Sequence, residues 1–225
     1  METKYQKIKE IVEKELSCSA HAMTHVMRVY NLCLHLAKYC SDIDIDVLKT
    51  AALLHDIARV KEFKDGTGNI NHAVLGAEMA EKILTKLDYS EEKIAHVKHC
   101  IVTHRFRDKV KPQTKEAKIL FDADKLDVIG AVGIARSFMM AGQYGQKIHS
   151  EIPIKDYLKN NIIGEKNDGR IKELSKHTPN LEFELKFKYI PERLYTQKAM
   201  EKAEERLQYM ENFFEKLKTE LKGEL

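Results

Sequence analysis

This sequence predicts an all-α fold, a single-domain helical bundle, and three observations carry that reading. Apolar residues recur in steps of three and four along most of the 225 residues. Tyr5, Ile8, Val12, Leu16 and then Val26, Val29, Cys33, Leu36, Cys40 show the spacing, which keeps one face of a helix dry. Strict apolar–polar alternation is confined to one run, Leu181-Glu-Phe-Glu-Leu-Lys-Phe-Lys-Tyr189. The last stretch, with Thr196 as its cap and Ala199, Ala203, Leu207, Met210, Phe214, Leu217 and Leu221 on one stripe, is the cleanest helix in the chain.

Beyond the two N-terminal stripes, helices are predicted over about 46–61, 71–87, 90–107 and 115–140, with ends defined to about 2 to 4 residues. Turn residues separate them: Asp65-Gly66-Thr67-Gly68-Asn69, Asp88-Tyr89-Ser90, and Pro112. Asn71 and Ser90 suit N-caps, and Glu91 and Glu92 place acids where the helix dipole favours them. Between Gly142 and Pro191 the pattern loosens. Gly145, Gly164, Gly169 and the polar Lys159-Asn160-Asn161 suggest loops around short helices, a natural place for a lid or substrate loop. The alternating run at 181–189 reads by period as a strand, but a lone strand has nothing to pair with, so a helix is expected there.

Composition narrows the function classes. With 43% apolar and 32% charged residues, the chain can bury a core without disulfides. No apolar run approaches the ~18 residues of a membrane span. The N-terminus METKYQKIKE is charged from its second residue, which argues against an export signal. Cys18, Cys33, Cys40 and Cys100 follow no CxxC pattern, and Cys33 and Cys40 share an apolar stripe. They read as reduced core thiols of a soluble cytoplasmic protein. The net charge of +3 arises from 38 basic and 35 acidic residues, interleaved without a basic arm, so charge does not point to nucleic acid.

Polar residues in apolar surroundings carry the chemistry. In the segment KTAALLHDIA, His55 and Asp56 lie among Ala51, Ala52, Leu53, Ala58 and Val60. A buried carboxylate costs several kcal/mol unless a cation or a buried arginine accompanies it. In FDADKLDVIGAVGIA, Asp122, Asp124 and Asp127 punctuate an apolar helix, and Asp124 shares its stripe with Leu120, Val128 and Ala131. Gly130 and Gly133 are spaced to let another helix approach. His25 shares a face with Val29, Leu32 and Leu36; His104 continues Ile94, Val97 and Ile101; His72 opens a helix that runs through Gly76 and Ile83. His35, His96, His149 and His177 have no such alignment, and His99 sits between the two groups.

A single inward histidine is more often a satisfied core residue than a ligand. Several of them on separate helices, with two inward aspartate sites, are hard to satisfy pairwise. Two imidazoles and two carboxylates form a mixed N/O set suited to a divalent Mn, Fe, Co, Ni or Mg ion. A buried His–Asp hydrogen-bond network is the competing reading.

These residues resemble the HD-domain metal-dependent phosphohydrolases, whose pattern is a first His, a consecutive His-Asp and a later Asp. Here it reads His25-Val-Met-Arg28-Val29, Leu53-Leu54-His55-Asp56-Ile57 and Asp122-Ala-Asp124-Lys125-Leu-Asp127. The similarity runs from about His21 to Phe138. With Asp124 to Arg136 and Ala203-Glu-Glu-Arg206 through Met210, it is closest to a subgroup of small predicted HD hydrolases; residues about 141–190 match poorly. The resemblance implies one HD-type domain over 1–225, with a metal core at about 21–140, lid or substrate loops at about 141–190 and a C-terminal packing helix at about 196–222.

Carried over by position, His25, His55, Asp56 and Asp124 match the metal ligands, with Asp122 in reserve. His72 and His104 fall where two-metal relatives place further histidines, and they are expected to line the site. The implied reaction is attack of a metal-bound hydroxide on a phosphate ester or anhydride of a nucleotide or other phosphorylated metabolite. Lys125, next to Asp124, and Arg28, one turn beyond His25, are the expected stabilisers of developing charge; ion pairs with Asp122 or Asp127 are the alternative use for both. Some relatives place an acid or imidazole directly after the His-Asp pair. Ile57, Ala58, Arg59 and Val60 stand there instead, which leaves His72, His104 or solvent as the proton donor. A cyclic- or oligonucleotide phosphodiesterase, a non-catalytic nucleotide-binding module stabilised by metal, and a di-iron oxidase that would need both His72 and His104 are the alternatives. The preferred metal, the exact substrate and the oligomeric state are not encoded in any motif.

Overall fold

The computed structural model describes residues 3–16, 22–65, 67–105, 110–163 and 170–224. Cys18, His21, Gly66, Gly164 and Gly169, singled out above, and the end of the helix predicted over about 90–107 lie outside the described residues. Among the described residues the fold is all-α apart from one antiparallel pair of two-residue strands, and the chain divides into two compact units, Met1–Asp124 and Lys125–Leu225. Among the described residues, no helix is long and apolar enough to cross a membrane.

The first unit contains α1 (Lys4–Glu15), α2 (Ala22–Ala37), α3 (Ile45–Leu54), α4 (Arg59–Asp65), α5 (His72–Thr85), α6 (Glu91–Thr103) and most of α7 (Lys115–Leu126). The stripes read from sequence are its core: Ile8 and Val12 of α1 and Val26, Val29, Cys33 and Leu36 of α2 are buried. Helix α3 packs against α1, α2 and α6, and α5 lies along α6. Being enclosed on several sides, α3 buries Val47, Leu48, Ala51, Ala52, Leu53 and Leu54. Three short polar side chains start these helices. Asp44 accepts the Asp46 and Val47 amides, Asn71 accepts that of Ala73 and Ser90 that of Lys93, each satisfying N–H groups that have no partner within the helix.

The helix expected over 46–61 is in fact two. It ends at Leu54, turns through His55–Ala58 and restarts at Arg59 as α4. The apolar pattern continues unbroken across the turn because Ile57 and Ala58 are buried like the helix before them. Periodicity therefore carries no sign of the break.

The second unit contains α8 (Gly130–Gln143), α9 (Ile154–Asn161), α10 (Pro179–Leu185) and α11 (Gln197–Leu221). Strands β1 (Ile162–Ile163) and β2 (Arg170–Ile171) pair antiparallel with Ile162 opposite Ile171. Tyr157, Leu181 and Leu185 form a small core with Ile154, Leu158 and Ile162 packed on it, and Phe183 lies 5.1 Å from Phe214 of α11 between ring centroids. The alternating run at 181–189 is an α-helix as far as Leu185 and, after Lys186, a 3-10 turn at Phe187–Tyr189. Leu181, Phe183 and Leu185 are all buried, because this short helix is covered on more than one side. On α11, Ala199, Ala203, Met210 and Phe214 are buried while Leu221 is half exposed, so the stripe outruns its core in the last turn.

The helix expected over 115–140 also breaks, between Leu126 and Gly130. Gly130 has φ +79°, and a Cβ there would lie 3.0 Å from the Arg206 side chain; an L-residue is disfavoured on both counts. Gly133 answers a different need from helix approach, since its Cβ would come within 2.3 Å of the Val128 carbonyl oxygen in the turn itself. Arg206 donates to the Leu126 carbonyl at the end of α7, and buried Asp127 accepts from Arg136 at 2.8 Å.

Candidate metal centre

Three helix ends supply the site. His55 is the C-cap of α3, His104 the C-cap of α6 and His72 the first residue of α5. His25 comes from α2, and Asp56 follows His55 in the turn that the helix break creates. The broken helix thus has a use: it lets two consecutive residues face one point. Helix C-termini also carry partial negative charge, which favours a cation.

The distances define two groups sharing one carboxylate. His25 Nε2 lies 3.6 Å from Asp56 Oδ2 and 3.3 Å from Asp124 Oδ1, and His55 Nε2 lies 3.9 Å and 4.0 Å from the same two oxygens. On the other side, Asp56 Oδ1 lies 3.4 Å from His72 Nε2 and 3.5 Å from His104 Nε2. His25, His55 and Asp56 form one cluster able to hold an ion; Asp56, His72 and His104 form a second.

Hydrogen bonds at the far nitrogens fix the rings. His55 Nδ1 donates to the Ala52 carbonyl at 2.8 Å and His104 Nδ1 to the Ile101 carbonyl, each three residues back at the end of its helix. His72 Nδ1 lies 2.8 Å from Glu62 Oε2. In the neutral rings Nε2 is therefore the lone-pair nitrogen, the arrangement by which histidine ligates metals. Burial pushes His55 down to about 4 and His72 likewise to about 4, so both are neutral near pH 7. Burial pushes the Asp56 carboxyl up, but the surrounding histidines in their protonated form, His55 first and then His104 and His25, outweigh this and hold it well below the usual range; once the rings lose their protons that attraction is gone. Two neutral imidazoles aiming lone pairs at the two oxygens of one carboxylate repel it, and a divalent cation on each side turns that repulsion into coordination. The donor set fits a metal ion.

The structure thus brings His25, His55, Asp56 and Asp124 together and adds His72 and His104 at the far oxygen of Asp56. Arg28 is half-buried on α2, one turn beyond His25. Lys125 is buried in the last turn of α7, the first residue of the second unit. Asp122 is fully buried, and Asp127 is taken up by Arg136. His99 accepts the Gln113 amide instead of facing this cluster. Sequence reasoning missed Glu62, with Arg59 and Arg105 beside it. Glu62 sits in VKEFKD, which reads as a solvated helix face, and only its spacing of three from Arg59 hinted at a pair.

Residues 22–129 match the HD domain family. That segment is similar to an HD domain. An HD-superfamily hydrolase of Bacillus thuringiensis is 27% identical, with a TM-score of 0.69 covering 98% of this chain and 99% of that one. The structure of Bacillus subtilis YpgQ in complex with ADP has a TM-score of 0.69 at 26% identity, covering 96% of this chain and 94% of that one. By sequence YpgQ is 34% identical over 137 residues, 59% of this chain and 63% of YpgQ. The 3'-5' exoribonuclease YhaM of Bacillus licheniformis is 26% identical over 137 residues, 55% of this chain but 44% of that protein. The chain spans 63% of the length of YpgQ and 44% of that of YhaM. HD-superfamily hydrolases are generally metal-dependent phosphohydrolases, and the His/Asp cluster of this chain could hold such a metal.

Proposed function

We propose that the chain is a metal-dependent phosphohydrolase acting on the phosphate ester or anhydride bonds of a nucleotide. The observation that carries this reading is the shared carboxylate: Asp56 presents one oxygen to His25 and His55 and the other to His72 and His104. Under this reading His25, His55, Asp56 and Asp124 hold one divalent ion and Asp56, His72 and His104 a second. Bound metal supplies acidified water and polarises a phosphoryl oxygen. The protein's own part is orientation. The Ala52 and Ile101 carbonyls hold the His55 and His104 rings in register. Arg28 and Lys125 are the proposed cations for charge that develops on the transferring phosphoryl group. With the Nδ1 protons of His72 and His104 taken by Glu62 and the Ile101 carbonyl, proton donation to the leaving group falls to solvent under this reading. ADP in the YpgQ crystal supports a nucleotide substrate, since that fold matches over most of both chains.

The relationship to YhaM favours one second reading, hydrolysis of phosphodiester bonds in short oligonucleotides. One experiment separates the two. The purified chain, loaded with Mn2+, Ni2+, Co2+ or Mg2+, is assayed against nucleoside mono-, di- and triphosphates, cyclic nucleotides and short RNA, with oxygen uptake and metal content followed in parallel. Release of phosphate or pyrophosphate from mononucleotides supports the first reading, and shortening of RNA alone supports the second. Saturable nucleotide binding without turnover by a fully loaded sample overturns both and identifies a binding module. Oxygen consumption with two irons per chain would reassign the site to redox chemistry.

A further inference from the structure

A carboxylate outside both His/Asp clusters gathers four donors. Glu62 of α4 lies with Oε2 2.8 Å from His72 Nδ1 and Oε1 3.4 Å from the His72 backbone amide. Arg59 Nη1 donates to Oε2 at 2.7 Å, and Arg105 Nη1 lies 3.3 Å from Oε1. The side chain is only 18% exposed, so the carboxylate has exchanged most of its water for these contacts. Two guanidinium groups fix it in place, and it grips His72 by both ring and backbone.

Arg59 Nη1 also lies 3.2 Å from His72 Nδ1, which raises the opposite tautomer, with Nδ1 accepting from arginine and Nε2 bearing the proton. The contact with Glu62 decides between them. A bare Nδ1 lone pair 2.8 Å from a carboxylate oxygen is repulsive, whereas Nδ1–H to carboxylate is a charge-assisted hydrogen bond of ordinary length. His72 therefore turns its lone pair at Nε2 toward Asp56 Oδ1, 3.4 Å away.

We propose that Glu62 is a positioning residue for the triad of Asp56, His72 and His104: held by Arg59 and Arg105, it fixes the tautomer and ring orientation of His72 and raises the basicity of the nitrogen that takes the ion. The proposal rests on reading that triad as an ion site. His55 and His104 are oriented by backbone carbonyls belonging to their own helix ends. His72 begins a helix and has no carbonyl one turn back on its own helix to use, so a side chain from α4 performs the task. A carboxylate also strengthens the ligand more than a neutral carbonyl does, and losing such a partner lowers metal affinity by about 10–100-fold.

Calorimetric titration of the metal-free full chain with Mn2+, without substrate, tests this on wild type, Glu62→Gln, Glu62→Ala and His72→Ala. Wild type should take up two ions. Glu62→Ala should weaken one of them about 10–100-fold, the same one that His72→Ala abolishes, and leave the other unchanged. Glu62→Gln keeps an acceptor oxygen but not the charge, so it should recover part of the loss; being nearly isosteric, it also keeps the test decisive if the alanine variant folds poorly. Equal weakening of both ions, or no weakening of either, overturns the proposal, as does a single-ion wild type indifferent to His72→Ala. A chain inert toward every nucleotide removes the proposed reaction and leaves the role of Glu62 standing. Unchanged Mn2+ binding in both Glu62 variants of an active enzyme does the reverse.

Discussion

Each unit of the molecule contains a buried cluster of histidine and carboxylate, and the two are built to opposite ends. In the second unit the Tyr157 hydroxyl donates to His177 Nδ1 at 2.7 Å and accepts from Asn161 Nδ2 at 3.0 Å. His177 Nε2–H faces Glu182 Oε2 at 2.6 Å, and Lys186 donates to both oxygens of Glu182. Asn161 then exchanges hydrogen bonds with the backbone of Glu173. Donors meet acceptors throughout, and the result is a clasp joining α9, α10 and the segment after β2. In the first unit, His55 and His72 instead turn lone pairs toward a carboxylate. Histidine and acid side by side are thus no sign of a site. The direction of the protons is: the clasp is complete, while the first cluster gains most from a cation.

The largest expected effect follows from Asp56, the residue both triads share. Asp56→Ala should remove bound metal from both and lower phosphohydrolase turnover by more than about 100-fold, the upper end for losing a partner merely one step behind a ligand. Metal analysis and turnover of the purified variant check this, and full metal occupancy in Asp56→Ala would show that Asp56 is not a ligand. Chelation offers a second comparison. An ion present at about 100 times its dissociation constant stabilises the fold by roughly 2.7 kcal/mol, so a chelator should lower the melting temperature of wild type and leave that of Asp56→Ala unmoved. Chelation should leave the second unit's clasp unaffected, because its contacts involve only protein groups.

The clasp should respond to substitution in stability and not in metal binding. His177→Ala takes the acceptor from the Tyr157 hydroxyl and a partner from Glu182, and Tyr157→Phe leaves His177 Nδ1 without its donor and Asn161 Nδ2 with the Glu173 carbonyl alone. Each is expected to cost about 1–3 kcal/mol, His177→Ala at the upper end because one of the two contacts it breaks is to the ionised Glu182. Urea denaturation measures the loss, and Mn2+ titration of the same variants should match wild type. A variant of either residue that loses ions would erase the contrast between the two clusters.

How much of this was legible in the sequence depended on where each residue lay. His25, His55, Asp56 and Asp124 stood out because apolar neighbours at helical spacing make a polar residue conspicuous, and His72 and His104 stood out for the same reason. His177 did not, although it is only 6% exposed. It lies in an irregular segment before α10, where no period defines an inside. The breaks after Leu54 and Leu126 were hidden because buried residues continue across both turns, and Gly130, which permits the second, looked like a packing glycine. Glu62 was hidden for the opposite reason: its segment is charged, and its partner His72 is ten residues away on another helix. Periodicity reports which face is dry. It does not report which carboxylate reaches across to a neighbouring helix.

The smallest effect concerns pH, and it again separates the clusters. Burial pushes the Glu182 carboxyl up, but His177 and Lys186 outweigh this and bring it down to about 2 from an ordinary 4.5. A carboxyl lowered on folding adds stability that is fully present above the unfolded value and is lost as pH falls through the folded one, here between about pH 4.5 and 2. At 1.36 kcal/mol per unit this is about 3.4 kcal/mol. The side chain retains 23% exposure, so screening by water reduces the expected contribution to roughly 2 kcal/mol. Glu182→Gln should therefore be less stable than wild type at pH 6, with most of the gap closed by pH 2.5, as read from urea midpoints of metal-free protein. Metal-free samples matter because protons compete with metal for His and Asp ligands, which would add an acid-sensitive loss from the first unit. If the two proteins stay equally far apart at both pH values, Glu182 holds the clasp by shape and not by charge.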